Sequence, residues 1–271
     1  MQRGEAIISR GIEIPNLPQQ RVTLVAVSEM TPASVVKALQ ALSIKVMKVT
    51  ADNRFTGSVS SHADMRCHLT GSQTGFCTDE SLRAEFLRRG ISLFRTNVHK
   101  FSKYPEDCSL NAARVGSYVF ANPRCMCKEL QKFYKEEQEQ QKIEFIPVRQ
   151  GYTKCNIAVV DERSIITEDN GIAAAARKAG LDVLQLRPGM VQLDGYPYGF
   201  IGGSCGKLAP NVLAFAGSVW SHPQVEQIIR FLKEHHVRAL SLGNGLLQDI
   251  GGILPVKEKE LENQKKRNYT K

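Results

Sequence analysis

The sequence lacks any apolar run near the roughly 20 residues that a helix needs to cross a bilayer. It also shows no apolar segment of the signal-peptide kind after Met1, so we expect a soluble protein of the cytoplasm. Its seven cysteines include no Cys-x-x-Cys pair, which argues against a zinc ribbon and for free thiols. We therefore expect neither a metal nor another cofactor. What the chain does have is 42% apolar residues over 271 positions, enough for a packed core.

The net charge of +9 raises the question of a nucleic-acid partner. Six of the basic residues lie in the segment 257–271, as Lys257, Lys259, Lys265, Lys266, Arg267 and Lys271. No RNA-binding motif and no basic run interleaved with aromatic residues accompanies these charges. We therefore interpret 257–271 as a solvated polar tail and do not expect nucleic acid to be the partner.

One stretch, from Gly151 to Asp169, defines a structural unit that recurs along the chain. After Cys155 comes a β-branched apolar run at 157–160, a charged turn at 161–163 and a second apolar run at 164–167. This pattern predicts a hairpin with a thiol at its mouth. Asp169 or Asn170 can then cap a helix over 171–179 by accepting its free backbone N–H groups.

The same order of helix, strand, loop and hairpin occurs five times, with a period of roughly 45 to 50 residues. Each hairpin mouth carries a marker residue, and these are His62, Asn111, Cys155, the Gly202–Gly203 pair and Gly251. The repeats occupy 21–256. Residues 1–20, which contain two prolines and no sustained periodicity, are predicted to be an irregular lead-in.

The two ends of the repeat region are complementary. The strand predicted at 21–27 has no hairpin partner before it, and the last hairpin, in 246–256, has no second strand after it. Each segment supplies what the other lacks, so we expect them to pair and to close the chain into a ring without exposed strand edges. The central cavity of such a ring is then the expected ligand site.

This arrangement resembles the pentein fold, the five-fold pseudosymmetric α/β propeller of the guanidine-modifying superfamily. Three motifs carry the resemblance: Gly151-Tyr-Thr-Lys-Cys155, His62-Ala63-Asp64 and Asp249-Ile250-Gly251-Gly252. Their cyclic order matches the superfamily while their order along the chain does not, so the sequence is identified as a circularly permuted, bacterial branch. The third motif departs from the superfamily pattern through the extra Ile250 and through Asp in place of the usual Glu.

The superfamily includes deiminases, dimethylarginine hydrolases, amidinotransferases and a non-catalytic ribosome anti-association factor. The resemblance implies Cys155 as nucleophile, His62 as general acid and base, and Asp64 with Asp249 as carboxylates that hold a guanidinium group. Further substrate contacts are expected at other hairpin mouths, from Asn111, Gly203 and Ser204. The implied function is a cysteine-dependent hydrolase or transferase for a guanidine, amidine or ureido small molecule.

Other interpretations of these residues remain open. Cys155 could be a small buried apolar residue, His62 a loop cap and Asp249 a structural turn residue. The glycine-rich run 199–206 could cradle an anion, and Cys205 within it is an alternative thiol. The whole protein could also be a non-catalytic member of the superfamily that binds a ribosome, RNA or a small ligand. An electrostatically driven RNA complex would weaken steeply with salt.

Overall fold

The computed structural model of the protein describes residues 8–97 and 103–260. The strands in these residues are β1 (Ser9–Gly11), β2 (Val22–Ser28), β3 (Lys45–Val49), β4 (Cys67–Leu69), β5 (Thr74–Cys77), β6 (Ser92–Arg95), β7 (Ala113–Val115), β8 (Tyr118–Ala121), β9 (Glu144–Pro147), β10 (Ile157–Val159), β11 (Ser164–Thr167), β12 (Asp182–Gln185), β13 (Cys205–Ala209), β14 (Val212–Phe215), β15 (Arg238–Ser241) and β16 (Leu254–Lys259). The α-helices are α1 (Ala33–Ala41), α2 (Ala63–Arg66), α3 (Glu80–Leu87), α4 (Lys128–Glu139), α5 (Thr153–Asn156), α6 (Asn170–Lys178) and α7 (Val225–Glu234). None of the helices described combines the length and the apolar character that crossing a membrane requires.

The strands form five small sheets of one design, and each sheet with its helix is called a blade here. In blades 2 to 5 the first two strands make an antiparallel hairpin, and the third lies parallel to the second after a helical crossover. Blade 1 has the order β1-β16-β2-β3, so its hairpin partner comes from the far end of the repeat region. Leu254 pairs with Ala26 and Pro255 with Val25, which confirms the predicted closure.

Five apolar clusters lie around the ring, one between each pair of neighbouring blades. Met47 of blade 1 packs with Phe86 of blade 2, and Phe120 of blade 3 packs with Ile165 of blade 4. The cluster that joins blade 5 to blade 1 contains Leu208, Val25 and Ile253. Because this last boundary is as apolar as the others, the ring is closed by side-chain packing as well as by strand pairing.

Strand boundaries differ from the predicted ones in ways that packing explains. The lead-in predicted as irregular contains β1, whose Ser9 pairs with Lys259, and β16 runs into the segment predicted as a polar tail. Residues 261–271 of that tail lie outside the described residues. The stretch 62–69, which alternates like a strand, begins instead with the helical turn α2. There Arg66 N donates to His62 O at 3.1 Å, and the strand starts only afterwards.

Candidate active site

The predicted site residues meet at the centre of the ring, because every one of them stands just ahead of the strand that opens a hairpin. His62 precedes α2, which contains Asp64, while α5 contains Cys155. The side chains lie in buried positions: His62 is 3% exposed, Asp64 4%, Cys155 4% and Asp249 6%. The helical turns α2 and α5 direct their side chains toward the centre of the ring instead of along the face of a sheet.

Asn111 joins three blades at the thiol. Its Nδ2 donates to Cys155 Sγ at 3.1 Å and to Asp64 O at 2.9 Å. Its Oδ1 accepts hydrogen bonds from Lys154 N at 2.7 Å and from Cys155 N at 3.2 Å. The amide therefore fixes the thiol beside Asp64, and both of its ends are occupied by the protein.

The thiol lies among negative charges. Burial raises the pKa of Cys155 well above its usual value, and the nearby carboxylates of Asp64 and Asp249 raise it further, while the hydrogen bond from Asn111 opposes them. Both carboxylate oxygens of Asp64 are buried and lack an N–H or O–H donor among the described residues, and the Asp64 side chain acts as a hydrogen-bond acceptor toward the Cys155 thiol, which raises the pKa of the thiol further. The thiol is therefore in its protonated form at neutral pH when no cation is present.

His62 and Asp249 form the second half of the site. His62 Nδ1 lies 3.7 Å from Asp249 Oδ1, which is too long for a hydrogen bond. Asp249 is instead held by backbone donors, Phe200 N at 2.9 Å and Gly251 N at 3.0 Å. Burial raises the pKa of Asp249, His62 lowers it, and Asp64 raises it. No hydrogen bond joins His62 to Cys155 in the part of the chain that the structure describes.

Two glycines at the hairpin mouths have packing roles here. A Cβ on Gly203 would lie 2.0 Å from Asp249 Oδ1, so only glycine allows the carboxylate its position. Gly251 has φ +72°, and a Cβ there would lie 2.4 Å from the His62 Cβ. The Ser204 side chain is fully buried, and its Oγ donates to Ile201 O at 2.8 Å. Gly203 and Ser204 thus shape the wall that supports Asp249.

Gly151 has a similar explanation on the thiol side. A Cβ on Gly151 would lie 2.7 Å from Cys108 Sγ and 3.0 Å from Cys125 Sγ. These two cysteines pack with Cys155 and Met65 in one apolar cluster. The glycine four positions before the thiol therefore leaves room for the cluster behind it.

A cavity of about 660 Å³ opens on the His62 side of the site. His62 and Asp249 line its floor, and residues from a turn at 192–197 line its rim. Cys155 is absent from the described lining, although the charge of Asp249 acts on its thiol. His62 and Asp249, and not Cys155, therefore face the open cavity. The alternative thiol, Cys205, is also buried and does not line the cavity, and burial raises its pKa to about 12.

Glu168 is the residue that the sequence interpretation missed. It is 6% exposed, directly follows β11, and its Oε2 accepts a hydrogen bond from Ile201 N at 2.9 Å. Burial raises its pKa to about 7, with a further contribution from the charge of Asp249. An acidic residue directly after an apolar strand was the available signal. Among the described residues, no three His, Cys, Asp or Glu side chains are grouped as metal ligands would be.

Solved structures with the same fold are found among enzymes. SxtG, an amidinotransferase from Microseira wollei, has 9% identity and a TM-score of 0.55 over 93% of this chain and 97% of that chain. The agmatine deiminase of C. jejuni has 10% identity and a TM-score of 0.54 over 96% and 99%. DDAH from Pseudomonas aeruginosa, complexed with citrulline, has 10% identity and a TM-score of 0.50 over 89% and 100%.

At such low identity these similarities establish the fold alone, and that fold is the predicted five-fold pseudosymmetric α/β propeller, the pentein fold. The chain belongs to the family described as "Family of unknown function (DUF6873)", whose model matches residues 26–254. No curated protein matches the sequence.

Proposed function

We propose that the protein is a cysteine-dependent hydrolase or transferase that acts on a guanidine, amidine or ureido small molecule. The observation that carries the proposal is the Asp64 carboxylate, which is buried beside the Cys155 thiol and accepts no hydrogen bond from an N–H or O–H donor among the described residues. A buried carboxylate without a cationic partner is costly. A planar cation with several N–H groups supplies the charge and the donors that this carboxylate lacks.

Binding of such a cation also activates the nucleophile. Burial and the two carboxylates keep the Cys155 thiol protonated, so a positive charge placed between Asp64 and Asp249 offsets the negative charge that raises its pKa. The thiol then becomes a thiolate only when a substrate is present. No hydrogen bond joins His62 to Asp249, although backbone donors hold the Asp249 carboxylate, and we propose that the substrate passes His62 to reach the sulfur.

The chemistry proceeds in two halves. The Cys155 thiolate attacks the central carbon of the amidine group, a C–S bond forms, and the C–N bond to the leaving amine breaks as His62 donates a proton to that nitrogen. In the second half His62 accepts a proton from water, or from an acceptor amine in a transferase. The oxygen or nitrogen then bonds to the carbon, and the C–S bond breaks to restore the thiolate.

The test is turnover of a panel of guanidines, amidines and ureido compounds, followed by release of ammonia or amine. Cys155→Ala should lose at least about a thousandfold in kcat/KM, because a nucleophile has no substitute. Cys205→Ala is the matched control, since Cys205 is equally buried but lies outside the thiol contacts described for Cys155. Full activity in Cys155→Ala, or equal loss in both variants, would contradict the proposal.

A second readout does not need turnover. Alkylation of Cys155 by iodoacetamide, followed by mass spectrometry, should accelerate when a small guanidinium compound is bound, because the cation lowers the thiol pKa. The non-catalytic interpretation predicts ligand binding with no turnover by any compound. If salt-sensitive retention on ribosomes accompanied that result, it would favour the ribosome-binding alternative instead.

A further inference from the structure

A second cleft, of about 970 Å³, lies at the edge of the apolar boundary between blades 1 and 2. Its lining shares no described residue with the cavity at the candidate active site. Leu24 and Lys45, which pair near the start of β2 and β3, line the cleft, whereas Ser28 at the end of β2 lines the cavity. Four residues of extended chain, or about 13 Å, separate Leu24 from Ser28, so the two openings lie at opposite ends of these strands.

The cleft is strongly positive, and both blades contribute to its charge. Lys45 and Lys257 come from strands of blade 1, while Arg88 and Arg89 directly follow helix α3 of blade 2. Glu85 is the one acidic residue in the described lining, which leaves an excess of three positive charges. The cavity at the candidate active site has no Lys or Arg among its described lining residues. The two openings therefore select ligands of opposite charge.

The lysines of the cleft lack counter-charges. Glu85 is shared by the two arginines, since it forms an ion pair with Arg88 and, at 2.6 Å, with Arg89. The side chains of Lys45 and Lys257 make no hydrogen bond or ion pair with the residues that the structure describes. Like charges that line one cleft repel each other. An anion in the cleft relieves this repulsion and supplies the acceptors that the two ammonium groups lack.

The remaining groups of the lining indicate which kind of anion fits. Ser9, Thr23 and Ser43 bring hydroxyl groups to the cleft, and Thr23 Oγ1 has no hydrogen-bond partner within the described residues. The described lining contains no aromatic residue on which a nucleobase stacks. Guanidinium, ammonium and hydroxyl donors together suit the oxygens of linked phosphate groups.

We infer that this cleft binds a chain of phosphates with three or more negative charges, either free inorganic polyphosphate or the triphosphate of a nucleotide. The phosphate oxygens bind Lys45 and Lys257 from blade 1 and Arg88 and Arg89 from blade 2. The ligand therefore joins the two blades across their boundary and stabilises the ring there. The inference is independent of the proposed function, because it involves neither the catalytic residues nor their cavity.

The test is isothermal titration calorimetry with inorganic tripolyphosphate at low ionic strength. Lys45→Gln/Lys257→Gln should raise the Kd about tenfold, since two exposed charge pairs are lost and each is worth up to a few-fold. Lys37→Gln/Lys48→Gln is the matched control, because it removes the same charge from exposed positions outside the described lining, and it should leave the Kd nearly unchanged. Binding to the wild type should weaken as salt is added, and the ligand should raise the Tm.

Further ligands show what the cleft recognises. Adenosine triphosphate without magnesium should bind about as tightly as tripolyphosphate, and adenosine should not bind, because the described lining offers no contact for the base. No binding of tripolyphosphate at low salt, or equal weakening in the two double variants, would overturn the inference. A nucleotide that binds more than tenfold tighter than tripolyphosphate would also overturn it, since a base would then be recognised. So would tighter binding of a short RNA through Lys45 and Lys257, which would make the cleft a nucleic-acid site.

Discussion

Glu168 shows how burial, together with one nearby charge, can make a side chain pH-sensitive. Its pKa is raised to about 7 in the folded protein, so the fold is most stable while the carboxyl group is protonated. The stabilisation that the protonated carboxyl group gives the folded state is complete when the pH is below the ordinary pKa of glutamate. It is lost as the pH rises through 7. The loss amounts to about 3 kcal/mol in the free energy of unfolding.

Glu168→Gln should remove this dependence, because the amide oxygen can still accept the hydrogen bond from Ile201 N. We expect the variant and the wild type to have similar stability near pH 4.5, and the variant to be more stable by about 3 kcal/mol near pH 8. Chemical unfolding at both pH values measures the difference. Parallel pH profiles for the two proteins would show that Glu168 is not the titrating group.

For single residues, the sequence predicted which side chains lie in the site better than it predicted their pKa values and contacts. The motifs brought Cys155, His62, Asp64 and Asp249 to one place because hairpin mouths face the axis. The raised pKa of Cys155 could not be predicted, since it depends on burial and on distances between residues of three blades. Gly203 stays a predicted substrate contact, and the structure adds a reason for glycine at this position that the sequence did not reveal, which is the room it leaves for Asp249.

The N-terminus of helix α6 shows which of two residues acts as the N-cap, a choice that the sequence left open. Asp169 and Asn170 were both possible caps, and the structure selects Asp169, whose Oδ1 accepts from Ile172 N at 2.8 Å. Asp169→Ala should therefore lower the free energy of unfolding by about 1 kcal/mol. Asn170→Ala, on the exposed side of the same turn, should cost less than half as much. Equal losses in thermal or chemical unfolding would contradict the assignment of the cap.

The strands of the hairpins and the longer helices were largely predictable, and the single helical turns were not. The hairpin at 157–167 and the helix at 171–179 agree with β10, β11 and α6 within a residue or two. The single turns α2 and α5 were missed because four residues carry no periodicity. Their positions depend on partners far along the chain, such as Gly251 O, which accepts from Asp64 N at 3.2 Å.

For the whole molecule, the strongest evidence for a ring in the sequence was that each end of the repeat region lacks one strand. Only a closed ring lets the two end segments pair with each other. The five apolar clusters between blades could not be assigned in advance, because they depend on how far each blade turns relative to the next. The site exists only when all five blades are in place: Asp249 follows blade 5, and Cys155 lies in blade 4. Loss of any one boundary should therefore remove the site as well as stability.

The seam of the ring has a mechanical consequence. Ser9 pairs with Lys259 in an antiparallel ladder, and Lys259 N donates to Arg21 O at 2.8 Å. A force that pulls residues 8 and 260 apart therefore acts on adjacent strand ends, so hydrogen bonds break one after another. Pulling between Met30 and Lys45 loads the parallel β2–β3 ladder along its length, and its bonds resist together. Single-molecule stretching should give the lower rupture force across the seam, and equal forces would mean that side-chain packing carries the load there.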